Sequence, residues 1–301
     1  MRSFNALRRT LLGLAAFVLA AVGAGAPQAQ AEAPASTLDR IKQTGVLRIG
    51  YGDTPPFSYR HTDGTVMGYS IDLCKKVAED LGSTLALPHV EIEYVARTPS
   101  NRVQMLNNGE IDIECNASTN TEERRRSVAF AASHFFVSTR YVSLAKNRFH
   151  TIDDLAGRSV SVTLGTVNVA HITAVNRERK LNLSLMRADS LRAAFDLVTQ
   201  ERVSAFAMDD ILLSAMIAES DDPHAYALSE ETLTDPEPYG FMMRLGDRDF
   251  EEAVNAALER IYRSPEMPAI YDRWFNQPIP GRNIHLQLPM SDALKQAFSG
   301  K

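Results

Sequence analysis

Runs that read as strand, polar loop and helix occur in two successive sets, and this recurrence constrains the chain more than any other feature. Residues 46–51, 90–95 and 111–115 form the first set of short apolar or alternating runs. Residues 159–163, 183–186 and 203–208 form the second, and most runs in both sets lead into a segment of helical period. Alternating strands and helices imply an α/β architecture with largely parallel sheets. Between the sets, residues 136–144 alternate as one long strand that would lead from one unit into the next. Polar residues collect where strands end and helices begin, which is where open α/β sheets bind ligands. A chain of 301 residues, 45% of them apolar, can bury a core in each of two units.

The N-terminus reads as an export signal. Arg2, Arg8 and Arg9 precede an apolar run over 11–24 that is too short to span a bilayer. Ala29-Gln30-Ala31 then supplies small residues at cleavage spacing, so residues 1–31 are expected to be removed after Ala31 and the protein to be periplasmic. The Arg8-Arg9 pair leaves a twin-arginine route open beside the general one. No cysteine stands directly after the cleavage site, which argues against a lipid anchor, and no later stretch is apolar enough to cross a membrane. In an oxidising compartment Cys74 and Cys115, the only cysteines, form either one disulfide or two small buried side chains. The net charge of -5 gives no general attraction to nucleic acid or to an anionic membrane.

Residues 111–126 carry the clearest chemistry. Ile111, Ile113 and Cys115 alternate with Asp112 and Glu114 as in a strand, and residues 116–120 turn as small polar residues. Thr119 with Glu122, or Asn120 with Glu123, fits a capping box, so a helix is expected to start here. Its free N–H groups and dipole would favour an anion. Arg124, Arg125 and Arg126 then fall in a first turn that disfavours cations. Arg125 and Arg126 read as a solvated face; Arg124, nearest the loop, offers a planar fork for a carboxylate. Asp209 or Asp210 provides the opposite charge at a second strand end. Asp210 suits a capping role and leaves Asp209 freer. A zwitterion needs both charges, so an α-amino acid is the simplest ligand for the pair. No His-x-x-x-His, Cys-x-x-Cys or Gly-x-Ser-x-Gly spacing occurs; neither metal nor cofactor nor catalytic role is expected.

An ordered series of short motifs resembles the polar amino-acid solute-binding proteins of ABC transporters, especially the glutamate/aspartate-binding branch. It runs from Leu38-Asp-Arg-Ile and Gly45-Val through Pro56-Phe-Ser-Tyr, Gly68-Tyr-Ser, and Asn101-Arg102 ahead of Leu106-Asn-Asn-Gly. It continues with Glu114-Cys, Ser118-Thr-Asn, Glu123-Arg124, Val162-Thr and Gly165-Thr. Ala205-Phe, Met208-Asp-Asp-Ile-Leu-Leu, Asp272-Arg-Trp-Phe, Asn276 and Pro278-Ile-Pro280 complete it. The resemblance implies a type II periplasmic-binding-protein-like fold: two α/β lobes, two hinge strands, and a ligand in the interlobe cleft. Lobe 1 would comprise residues 32–139 and 239–276, lobe 2 residues 140–238, with a tail over 277–301 left unplaced.

By the same resemblance Arg124 would clamp the α-carboxylate, helped by Thr119 and the backbone of Ala117, and Asp209 would receive the α-ammonium. Thr163 and Thr166 would line the other lobe, Arg102 would serve the ligand's side-chain end, and Tyr51 and Phe57 would line the pocket loop. Two features depart from the branch: the loop over 51–56 lacks an arginine, and Leu191 stands where a histidine is expected. Each lost donor weakens a hold on a side-chain carboxylate by about 1.5–3 kcal/mol. Glutamate or aspartate is the expected ligand, with glutamine or asparagine as competitors. The expected partners are an inner-membrane permease and ATPase served by a monomer. The alternative is an exported cyclohexadienyl or arogenate dehydratase-like enzyme on the same scaffold.

Overall fold

The computed structural model describes residues 36–282 and 284–300. The expected signal segment, 1–31, lies outside the described residues.

In chain order the first elements are α1 (Thr37–Thr44), β1 (Val46–Tyr51), β2 (Tyr59–Arg60), β3 (Val66–Met67), α2 (Tyr69–Thr84), β4 (Glu91–Ala96), α3 (Arg102–Asn107), β5 (Ile113–Glu114) and β6 (Val128–Phe130). The chain then crosses through β7 (Phe135–Val137) into β8 (Thr139–Leu144), β9 (Ser159–Thr163), α4 (Asn168–Arg179), β10 (Ser184–Ala188), α5 (Leu191–Thr199), β11 (Ala205–Asp209), α6 (Asp210–Glu219) and β12 (Tyr226–Leu228). It returns through β13 (Glu237–Tyr239) and β14 (Met242–Arg244), and ends with α7 (Arg248–Tyr262), α8 (Met267–Phe275) and α9 (Asp292–Ser299).

Two five-stranded sheets result, ordered β4-β1-β5-β14-β6 and β10-β9-β11-β8-β12. Each has parallel strands at its heart and receives one antiparallel strand next to a crossing, β14 in the first and β8 in the second. β7 and β13 pair with each other, forming a two-stranded antiparallel hinge between the lobes. β11 is buried along its whole length, as suits an apolar strand covered on both faces.

The hinge is packed by aromatic side chains. Phe57 lies edge-on to Phe135 at 5.1 Å and to Tyr239 at 5.4 Å, with Phe275 at 5.8 Å. Phe57 is therefore a core residue, not the pocket-loop residue that the resemblance implies. Long alternating runs also break at the crossings. Residues 136–144 divide at Ser138 because β7 pairs with the hinge and β8 with the second sheet. The returning chain is likewise split into β13 and β14. α2 runs through Gly82 to Thr84, with Gly82 buried beside Val90 and its backbone helical.

Residues 277–300 fold back over both lobes. Phe298 of α9 stacks on Tyr262 of α7 at 4.3 Å, and the Tyr59 hydroxyl donates to the Pro280 carbonyl at 2.7 Å. Arg282 pairs with Asp53 at 3.0 Å and with Glu219 at 2.5 Å, so one guanidinium touches the first lobe and the helix after β11.

Cys74 of α2 and Cys115, just past β5, are joined in a disulfide with a Cα separation of 6.4 Å. It ties the first-lobe helix layer to the end of a central strand. Closing a loop of 41 residues stabilises the fold by roughly 4 kcal/mol in the chain-entropy account. Replacing both cysteines by alanine is expected to lower the unfolding free energy by about 2–4 kcal/mol in urea titrations. An unchanged midpoint would mean that the pair contributes nothing as a cross-link.

Candidate functional site

The segment after β5 is held by side chains and by the returning chain. Asn116 is fully buried; its Oδ1 accepts from the Ala117 amide at 2.8 Å and from the Thr54 hydroxyl. Thr119 bridges to Tyr239, with Gly240 N donating to Ser118 O at 3.0 Å and Asn120 N to Pro238 O at 2.8 Å. Pairing with the hinge strand replaces the expected helix. Only a single 3₁₀ turn, Arg124–Arg126, follows, and neither capping box forms. The site is thus not a helix N-terminus: its charge comes from side chains. Arg125 and Arg126 are exposed, as expected, while Arg124 turns inward.

Arg124 and Arg102 converge from the first lobe on one acceptor in the second. Arg124 donates to Thr119 O at 2.9 Å and to Gly165 O at 3.1 Å. Arg102, 4% exposed, donates to Ser118 Oγ at 2.9 Å and to the same Gly165 carbonyl at 3.1 Å. Ser118 in turn donates to Glu114 at 2.8 Å. Glu114 is completely buried and ion-paired with Arg97. Burial is the main influence lowering the pKa of both Arg102 and Arg124, and for Arg102 the neighbouring Arg124 adds to it.

Asp209 ends β11 with its side chain free of any capping bond, whereas Asp210 begins α6 and accepts from Ile211 N at 2.7 Å. The Asp209 carboxylate accepts from Asn168 Nδ2 at 2.7 Å and from the Tyr239 hydroxyl. Burial raises its pKa, opposed by those two hydrogen bonds and by Arg124. A buried carboxylate in this state gains from a cation.

These groups line one narrow cavity of about 20 Å³ between the lobes, room for about one water and far below the volume of a ligand site, so the lobes have to part to admit a ligand. Of the anticipated residues, Arg102, Ala117, Thr119, Arg124, Thr166 and Asp209 line it, as does Leu191. Thr163 is buried behind it, its carbonyl accepting from Thr166 Oγ1 at 2.8 Å. Tyr51 points elsewhere: its hydroxyl accepts from Arg60 at 2.7 Å and its ring meets Tyr94 edge-on. With Phe57 in the hinge core, neither aromatic belongs to the lining. Arg97, Asn168 and Thr54 also line the cavity, and Tyr239 holds Asp209 from behind. The local signal for Glu114 was an acid within a strand, whereas Arg97, two residues beyond the run at 90–95, carried none. Asn168 and Tyr239 had no local signal, because they reach Asp209 from other elements.

A match to the model for bacterial extracellular solute-binding proteins, family 3, covers residues 47–277. The chain belongs to this family. It is 37% identical over 265 residues to an L-glutamate/L-aspartate-binding protein of Pseudomonas aeruginosa, covering 87% of each chain. It is 32% identical over 286 residues to a glutamate/aspartate import solute-binding protein of Escherichia coli, covering 94% of each. Among solved structures it resembles an ancestral amino acid-binding protein described as a precursor of cyclohexadienyl dehydratase. That structure has a TM-score of 0.68 and 26% identity, with 80% of this chain and 99% of that one covered. Among the described residues of this family member, no helix is long and apolar enough to cross a membrane, and no cluster of side chains could hold a metal ion.

The approach of the 164–167 loop to Pro99 depends on one glycine. Gly165 has φ +76°, and a Cβ there would collide with the Pro99 carbonyl of the opposite lobe. Gly165→Ala is expected to push the 164–167 loop off Pro99 and separate its carbonyl from both arginines. The radius of gyration from small-angle scattering should rise; an unchanged radius and unchanged melting temperature would remove Gly165 from this role.

Proposed function

We propose that this protein is a periplasmic receptor for a polar α-amino acid, glutamate or aspartate, that hands its ligand to an inner-membrane ABC permease and ATPase. One observation carries the reading: a guanidinium from one lobe and a carboxylate from the other, Arg124 and Asp209, face a single small cavity. Among the described residues they form no direct ion pair, so each is available to a ligand bearing the opposite charge.

In this reading Arg124 binds the α-carboxylate with Thr119 and the Ala117 backbone, and Asp209 binds the α-ammonium with Thr166 and Thr163 nearby. Residues 140–238 move as the second lobe about the hinge at β7 and β13. Ligand contacts made from both lobes favour the closed form, and that differential affinity drives closure. The mature receptor starts after Ala31 and works as a monomer. The named relatives are binding proteins, which favours capture over dehydratase chemistry.

Titration calorimetry across the twenty amino acids tests the proposal, with L-glutamate or L-aspartate expected to bind. Arg124→Ala and Asp209→Ala should each weaken binding at least roughly tenfold, as loss of a charged hydrogen-bond partner requires. If no α-amino acid binds, the proposal fails; undiminished affinity in either variant removes that residue from its role.

A further inference from the structure

Strand register brings a cation to the cleft that no local motif marks. β1 and β4 run parallel with Tyr51 beside Ala96, so the next residues, Gly52 and Arg97, are neighbours at the cleft end of the sheet. The Arg97 amide donates to Tyr51 O at 2.9 Å and fixes this placement. Gly52 leaves the corner empty: a Cβ there would lie 3.0 Å from Arg97 Nη1 and 2.6 Å from Asn116 Nδ2. The Arg97 side chain, 2% exposed, fills the space, pairs with Glu114 and lines the same cavity as Arg102 and Arg124. Its Nε has no hydrogen-bond partner among the described residues. The 51–56 loop lacks an arginine of its own, and the adjacent strand supplies one.

Charge decides what that guanidinium can serve. Arg97, Arg102 and Arg124 place three positive charges around the cavity, against Glu114 at the first-lobe end and Asp209 at the other, where Glu237, its pKa raised to about 7 by burial, also acts on Arg124 and Asp209. Once an α-carboxylate takes Arg124 and an α-ammonium takes Asp209, Arg97 and Arg102 share Glu114 alone. One buried positive charge remains uncompensated, which is costly in a dry site. A ligand side-chain carboxylate neutralises it; an amide does not.

We propose that Arg97, together with Arg102, binds the side-chain carboxylate of an acidic amino acid and sets the preference for it over the corresponding amide. This rests on the amino-acid reading of the cavity given above. The competing role for Arg97 is to neutralise Glu114 within the first lobe without touching ligand. A purely structural residue would affect acid and amide ligands alike.

Calorimetric Kd values for L-glutamate and L-glutamine in the wild type and in Arg97→Met separate these roles. Glutamate should weaken about 10- to 100-fold and glutamine less than about threefold, as expected when one charge-assisted contact is lost. Arg97→Met leaves Glu114 without its main partner, so Arg97→Met/Glu114→Gln is measured beside it. There Arg102 is left without Glu114, so one positive charge again faces the ligand, and glutamate should weaken less than in Arg97→Met while glutamine still changes less than about threefold. Equal weakening of both ligands, or unchanged glutamate affinity, in Arg97→Met overturns the assignment; if that variant does not fold, equal weakening of both ligands in the double variant does. The wild type alone is also decisive: Arg124-dependent binding that prefers glutamine rejects only Arg97's role, whereas no amino-acid binding at all rejects the site reading itself.

Discussion

Ionic groups removed from water at the lobe interface are the constraint on which the rest of this structure depends. Arg97, Arg102, Glu114 and Asp209 are all nearly or fully buried, with Arg124 turned in beside them. Buried charges persist only where partners and hydrogen bonds meet the desolvation cost. Ser118 and the Gly165 carbonyl supply part of that here, and they do so from opposite lobes. Closure and charge compensation are therefore one event.

The hinge and the site are mechanically continuous. Tyr239 ends β13, touches Phe57 in the aromatic core and donates its hydroxyl to Asp209. Phe57, although absent from the cavity, thus supports the residue that holds Asp209. Arg282 of the C-terminal segment adds a second link, reaching Asp53 on the first lobe and Glu219 on the helix that begins beside Asp209. The tail therefore ties the two lobes together and is more than an appendage.

Much of the architecture was legible in the sequence because it is local. Apolar periods marked most strands and helices, and Arg124 and Asp209 stood out as charges at strand ends of two separate units. What stayed hidden depends on pairing between distant residues. The segment after Cys115 carries helix-start chemistry, yet it bonds to β13, more than a hundred positions away, and forms no α-helix. Asp112 and Glu114 have the alternation of a solvated face, but Asp112 is buried by Arg40 and Arg48, and Glu114 by Arg97. Arg97 becomes a cleft residue only through the β1–β4 register. Tyr51 and Phe57 share the loop region with the site but face its supporting core.

A crystal structure of the protein grown with L-glutamate tests the central claim most directly. The account predicts the α-carboxylate on Arg124, the α-ammonium on Asp209, and the side-chain carboxylate between Arg97 and Arg102, with the Gly165 carbonyl released from at least one guanidinium. A ligand bound in the reverse orientation, or held entirely by one lobe, would contradict it.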